Sequence, residues 1–386
     1  MNQFLGYRRP DGKVGVRNHL AVISCSIYAN KVVAAIGERI PQAVPILHQG
    51  GIGQYGADLA QTIRALIGTG LNPNAAACLI IAMGNEAIDP YTIADPIDRT
   101  GKPVKILKIM NVGGTSAAIE KGYRLAEQLQ LTLSTLEREP YPMTELIIGL
   151  ECGGSDFTSG LASNPTLGAV ADHLVLAGGT VILSETTELI GAEHILARRS
   201  VSSEVSQRLV EIVQRYEARV QATGFDMRGG NPSPGNIAGG LTTIEEKSLG
   251  CVVKGGTTPV MKVVEYADLV KDRGLVVMDT PGNDVESVTG MVAGGAQIVL
   301  FTTGRGTPTG NPLAPVIKVT GNSYTAAAMA ANVDVDVSAI LTGEMDTAEA
   351  GALLYQFLQD VANGRLVKAE EHGNTEFAIH RIGMTV

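Results

Sequence analysis

Ala77-Cys-Leu-Ile-Ile-Ala-Met83, stopping at Gly84-Asn-Glu86, decides the fold class of this chain. A short, uncharged, apolar run that ends at a Gly-Asn turn reads as a strand buried on both faces. Working outward, the same unit recurs. Upstream, Leu20-Ala-Val-Ile-Ser24 and Val44-Pro-Ile-Leu47 read as strands, the second ending at His48 and the loop Gln49-Gly-Gly-Ile-Gly-Gln54. Between them Val32, Val33, Ile36 and Ile40 recur at helical spacing, and Asp58 to Leu66 reads as a further helix. Downstream, Lys105 to Met110 is a strand ending at Asn111-Val-Gly-Gly114, and Thr115 to Gln128 is a helix with Thr115-Ser116 as its capping signal. Apolar strands alternating with helices imply a parallel sheet covered on both faces.

Glu137-Arg-Glu-Pro-Tyr-Pro-Met143 breaks this rhythm and marks a boundary between units 1–137 and 144–386. Strands resume at Glu145–Leu150, Gly179–Ser184, Gly274–Met278, Ala296–Phe301 and Val316–Val319. Glu204 to Arg219 is an amphipathic helix, with Val205, Leu209, Ile212 and Val213 on one side. The expected architecture is α/β: two Rossmann-like domains with mostly parallel sheets and the active site in the cleft between them. At 386 residues, two domains are the natural division.

Composition narrows the function. A net charge of -9 argues against a nucleic-acid surface, although a small anionic substrate still needs a local group of Arg and Lys. No run is long and charge-free enough to span a membrane, and the N-terminus shows no signal-peptide pattern, so a cytoplasmic location is expected. Cys25, Cys78, Cys152 and Cys251 are scattered without a C-x-x-C pair and read as reduced thiols.

Four polar, Gly-rich stretches stand out: Asn231–Gly250, Glu151-Cys-Gly-Gly-Ser-Asp156, Thr280-Pro-Gly-Asn-Asp284 and Thr302-Thr-Gly-Arg-Gly-Thr-Pro308. The last three follow apolar strands, and strand ends feeding Gly-rich loops are where open α/β proteins build sites. Gly6–Asn18, Gly149–Asp156, Asn164-Pro165, Asn231-Pro-Ser-Pro-Gly-Asn236, Glu246-Lys-Ser-Leu-Gly250 and Thr303–Pro308 resemble the altronate/galactarate dehydratase family almost end to end. The resemblance implies a lyase that converts a 2-hydroxy sugar acid to a 2-keto-3-deoxy acid.

Such an elimination needs a base for the proton beside the carboxylate, an electrophile for the enediolate and help for the leaving group. Arg305, flanked by glycines, is the expected carboxylate clamp. Lys247 is a candidate electrophile, base or ligand. Asp284, His48 and Glu185 complete the catalytic candidates, with Glu188 three residues after Glu185. Thr307, Asn236, Ser155, Asn283, Arg17 and Asn18 are candidate substrate ligands, and Asp284 could equally be a helix cap. Cys152, Asp156 and Glu86 are candidate metal ligands.

Altronate dehydratases typically carry Cys at three further strand-end positions, occupied here by Tyr28, Ile52 and Asn85. No iron–sulfur cluster is therefore expected, whereas a divalent ion (Fe2+, Mn2+ or Mg2+) or metal-free chemistry both fit. The family also often carries a small β-rich domain ahead of this region. A separate small β-rich subunit is therefore one expected partner, beside the small anionic hydroxy acid and further copies of the chain. The alternatives are the large subunit of a sulfolactate sulfo-lyase, whose sulfite leaves more readily than hydroxide, and a non-catalytic sugar-acid binder. No G-x-G-x-x-G follows the first strand, which ranks a nucleotide-binding dehydrogenase low.

Overall fold

The structure, a computed structural model, describes residues 3–386. Its fourteen strands form three sheets. β1 (Gln3–Arg8) lies between β2 (Val14–Gly15) and β7 (Glu139–Pro142), antiparallel to both. β3 (His19–Ser24), β4 (Ala43–Ile46), β5 (Ala75–Ala82) and β6 (Val104–Lys108) form a parallel sheet in the order β4-β3-β5-β6. All eight residues of β5 are buried, as a strand covered on both faces must be.

The largest sheet contains β8 (Ile147–Gly153), β9 (Thr180–Leu183), β10 (Val260–Val264), β11 (Gly274–Met278), β12 (Ile298–Thr303), β13 (Val316–Thr320) and β14 (Val335–Asp336). All its pairings are parallel and its order is β10-β11-β9-β8-β12-β13-β14. The chain leaves β8 toward β9 on one side and later returns to place β12 on the other. β8 is thus the switch point of the sheet, and ligands of open α/β sheets collect outside the strand ends at such a point.

Three local expectations change. The 137–143 break contains β7, whose Pro140 and Pro142 sit opposite Leu5 and Gln3 on a sheet edge, where a strand can tolerate missing N–H groups. The helix Thr115–Leu133 is capped by Gly114 (φ 92°), so Thr115 and Ser116 lie inside its first turn instead of capping it. The Asn231–Gly250 stretch carries the short helix Pro234–Ala238 and the start of the helix Ile244–Val252.

The two larger sheets do not face each other across an open cleft. Helix Gly56–Leu71 packs on helix Asp284–Ala293 so closely that a Cβ on Gly68 would stand 2.3 Å from the Ala293 carbonyl oxygen. Asn72 donates to the carbonyls of Val292 and Ala296, and Asn74 to those of Gln297 and Leu313. One apolar cluster runs through the contact, from Ile46, Leu66 and Ile80 to Met291 and Phe301. Beside this contact a cavity of about 240 Å3 is lined by Ala57, Gln61 and Arg64 of the first unit and by Tyr216, Asp279 and His380 of the second.

Candidate active site

The C-terminal ends of β11, β9, β8 and β12 stand side by side in the largest sheet. They present Thr280–Asp284, Glu185, Cys152–Asp156 and Thr303–Thr307, so three of the four polar stretches become neighbours. The fourth arrives from outside the sheet, as helix Ile244–Val252 and the turn after it. A pocket of about 530 Å3 lies among them, lined by Cys152, Ser155, Glu188, Asn236, Lys247, Asn283, Asp284 and Arg305.

Beneath the pocket is a group of buried ionisable side chains. Lys247, Cys251 and Lys254 follow one another at intervals of four and three, so one helical face points all three at the sheet. Lys247 Nζ lies 2.7 Å from Glu188 Oε1. Glu188 Oε2 accepts from Cys152 Sγ at 2.9 Å and from Cys251 Sγ at 2.7 Å, and the two sulfurs are 3.5 Å apart. Lys254 pairs with Glu185, whose Oε2 also accepts the Cys152 backbone N–H at 2.9 Å. Glu185 itself has φ 67°, a conformation costly for a residue with a Cβ. Its N–H is held by Thr280 Oγ1 at 2.7 Å.

The environment divides the carboxyls by protonation state. Burial, then the charge of Glu185, pushes Glu151 well above the usual carboxylate range, and a hydrogen bond to Glu185 adds to the effect. Glu151 Oε2 accepts from Ser184 and Ser287, while no described residue donates a hydrogen bond to the buried Oε1, an arrangement that disfavours the ionised form. Burial alone would raise Glu188, but Lys247 and Lys254 outweigh it and hold it at about 2. Burial, followed by the charges of Glu185 and Glu188, lifts Asp284 to about 7. For Lys247, burial is outweighed by Glu188, so the ammonium stays charged. The mutual hydrogen bond and burial raise Cys152, and burial and Glu188 raise Cys251 above the opposing pull of Cys152, so both are thiols at neutral pH.

Cys152, Glu188 and Cys251 bring their ligand atoms within 4.8 Å of one another and could hold a metal ion. Two sulfurs and one carboxylate oxygen suit Fe2+ or Zn2+ better than Mg2+. Of the three expected metal ligands, only Cys152 belongs to this group. Asp156 is engaged by Thr158 Oγ1 (2.6 Å), the Ser159 N–H (3.1 Å) and Asn322 Nδ2 (2.8 Å). Glu86 accepts from the Met83 and Gly84 N–H groups of its own loop on the smaller parallel sheet.

The other expected residues separate in the same way. Arg305 reaches the pocket with no hydrogen-bond or ion-pair partner for its guanidinium among the described residues, and Nη1 lies so near Gly235 that a Cβ there would stand 2.1 Å from it. Asn283 caps helix Asp284–Ala293, and Asn236 donates to the Ser155 carbonyl at 2.8 Å while facing the same pocket. Asp284 Oδ2 would stand 2.4 Å from a Cβ on Gly153, which explains the glycine there. Thr307 bonds to Thr309 at 2.9 Å, outside the lining. His48 is buried in the first unit between the Ser24 carbonyl (2.8 Å) and the Gly50 N–H (3.1 Å). Arg17 is bound to Glu370 and to the carbonyls of Val361 and Arg365, and Asn18 bridges Arg9 and the Leu133 carbonyl. His48, Arg17, Asn18 and Glu86 are therefore not brought to the pocket.

Sequence reasoning missed Glu151, Cys251, Lys254 and His380. The spacing of Lys247, Cys251 and Lys254 was the available signal for two of them. Tyr28 lies in the 3-10 turn Ile27–Ala29 and Ile52 and Asn85 in loops, all after strands of the smaller parallel sheet, whereas Cys152 partners Cys251 on the larger one.

Two family models cover the chain: D-galactarate/altronate dehydratase, C-terminal, over residues 143–385, and D-galactarate dehydratase/altronate hydrolase, second domain, over 6–134. The chain is 40% identical over 381 residues to the (2R)-sulfolactate sulfo-lyase subunit beta of Chromohalobacter salexigens, covering 98% of this chain and 97% of that one. It is 35% identical over 399 residues to the altronate dehydratase of Bacillus subtilis, covering 99% and 78% respectively. It is 34% identical over 389 residues to the galactarate dehydratase (L-threo-forming) of Escherichia coli, covering 94% and 73%. No described helix is long and apolar enough to cross a membrane. With both models matched and three relatives aligned along nearly its whole length, the chain belongs to the D-galactarate/altronate dehydratase family.

Proposed function

We propose that this chain is a lyase that eliminates a β-substituent from a small 2-hydroxy carboxylate, dehydrating a sugar acid to its 2-keto-3-deoxy product. One observation carries the reading: an unpaired Arg305, a charged Lys247 and an Asp284 poised near neutrality share one pocket. Arg305 clamps the substrate carboxylate through a bidentate contact. Asp284 takes the proton beside that carboxylate, a role its carboxyl near 7 suits. Lys247 stays protonated and so acts as the electrophile that stabilises the enediolate, not as the base. The C–H electron pair becomes the Cα–Cβ double bond, the β-substituent leaves with its bonding pair, and the enol tautomerises to the keto acid. A divalent ion on Cys152, Cys251 and Glu188 would supply Lewis-acid polarisation of a substrate oxygen.

A second reading has its own support. The chain matches a protein named as a sulfo-lyase subunit along 97% of that protein's length, whereas it covers 78% of the altronate dehydratase. Elimination of sulfite from sulfolactate, with a small β-rich chain as partner, uses the same base and electrophile. The test is a panel of aldonates, aldarates and sulfolactate, with and without Fe2+, Zn2+ or Mg2+ and a small β-rich subunit. Formation of a 2-keto acid is measured together with sulfite. A panel without any 2-keto acid under all these conditions refutes the lyase reading; sulfite alongside the keto acid selects the second leaving group.

A further inference from the structure

We propose that His380, held by Glu286, is the acid that protonates the departing β-hydroxyl. The inference rests on the dehydratase reading above and adds the one role which that reading leaves unfilled. His380 lines the main pocket and also a neighbouring cavity of about 240 Å3, standing with Tyr216 and Pro281 where the two meet. Its Nδ1 lies 2.9 Å from Glu286 Oε2. A carboxylate only accepts, so Nδ1 carries a proton; the acid form is the imidazolium ion-paired with Glu286, in which Nε2 carries the second proton and presents it to the pocket. Nε2 makes no hydrogen bond to any described residue.

The ring is placed by contacts on several sides. The His380 N–H donates to Tyr266 Oη at 3.2 Å, and Tyr266 Oη donates to the Glu286 carbonyl at 2.8 Å. The His380 carbonyl accepts from Gln61 at 2.7 Å, and the next residue, Arg381, pairs with Asp58 at 2.7 Å. The first unit thus supplies no side chain to the pocket lining but anchors the tail that brings His380 there. Glu286 stands two residues beyond Asp284 in the first turn of one helix. The base and the holder of the acid are therefore fixed by the same backbone, and both line the pocket.

The step balances. Asp284 takes the Cα proton, the C–H pair forms the double bond, the Cβ–O pair leaves with oxygen, and the Nε2 proton makes that oxygen water. Asp284 ends protonated and His380 neutral, and exchange with solvent resets both.

The experiment compares wild type, His380→Asn and His380→Ala on the hydroxy acid that the panel identifies and on its 3-chloro-3-deoxy analogue, whose chloride departs without a proton. His380→Asn keeps an N–H for Glu286. The expected result is a loss of kcat on the order of 10²- to 10⁴-fold on the hydroxy acid, with KM within a few-fold, and near-wild-type elimination of chloride. Added imidazole should return part of the activity of His380→Ala. An equal loss on both substrates reduces His380 to an anchor of the tail and overturns the proposal. Sulfite release by wild type with His380→Asn unimpaired also overturns it, while leaving the lyase reading intact. A wild type that forms no keto acid refutes the lyase reading itself.

Discussion

Replacing Lys254 by Met tests whether the charges beneath the pocket balance as the geometry implies. Lys254 and Glu185 have side chains 1% and 0% exposed, and Lys254 Nζ is paired with Glu185 Oε2. Without the ammonium, Glu185 keeps the Cys152 N–H, the Cys152 thiol at 3.8 Å and its contact with Glu151. An ionised carboxylate left buried without its partner costs about 3–5 kcal/mol. The carboxyl can lower that cost by taking a proton, and burial already raises it. A folded-state carboxyl that titrates above its unfolded value contributes stability in full below the unfolded value. That contribution is lost as pH rises, by about 1.4 kcal/mol per pH unit at most. The penalty of Lys254→Met should therefore be larger at pH 8 than at pH 6. The double variant Glu185→Gln with Lys254→Met removes both charges at nearly constant volume and should recover most of the loss. Urea unfolding of wild type and the two variants at the two pH values is the assay. A penalty below about 1 kcal/mol, or a double variant no better than the single one, would refute the view that this pair is mutually dependent.

Arg305→Lys should keep the fold and lose most activity, because an ammonium cannot reproduce a bidentate contact; unchanged kcat and KM would remove Arg305 from the site. Asp284→Asn should abolish the rise of kcat/KM with pH centred near 7, the rise being expected because the base works deprotonated. A variant that keeps both the rate and the limb assigns the base elsewhere. Arg17→Ala should destabilise the protein by about 3–5 kcal/mol, since it leaves Glu370 and several carbonyls unpaired where the N-terminal segment meets the C-terminal helices. The folded fraction should retain wild-type kcat, as measured after correction for unfolded protein.

The parallel sheets were legible because their strands are nearly continuous apolar runs: β5 and β12 have no other stable place than between helix layers. β1, β2 and β7 were not, being short and partly polar, with prolines in β7 and a β1–β7 pairing that joins residues more than a hundred positions apart. The stretches at the ends of β8, β11 and β12 were recognisable as a site because Gly and polar residues directly after a buried strand have few structural uses. His48 and Glu86 had the same local appearance, at strand ends before Gly-rich turns. What separates them is that His48 is held by the Ser24 carbonyl of the adjacent strand and the Gly50 N–H, and Glu86 by the N–H groups of its own loop. That outcome depends on three-dimensional contacts that spacing along the chain does not encode. The helix carrying Lys247, Cys251 and Lys254 is the intermediate case. Its stripe of three reactive side chains was visible, but the sheet end it covers was not.

The charge bookkeeping of the buried group explains how one arrangement can serve with or without a metal. Glu185 and Glu188 contribute two negative charges, Lys247 and Lys254 two positive ones, and the two thiols and Glu151 are neutral. The sum over these side chains is zero, which limits the cost of burying them; in the pocket above, Asp284 in its ionised form adds a negative charge and Arg305 a positive one. A divalent ion that displaces both thiol protons adds two positive charges and creates two negative ones, so the sum stays zero. The substrate's own carboxylate then enters a pocket whose interior is already compensated and meets the unpaired Arg305 at its wall. Binding energy is thus concentrated on the carboxylate. Lys247 remains committed to Glu188 until negative charge develops on the enediolate, which is when an electrophile contributes to the rate.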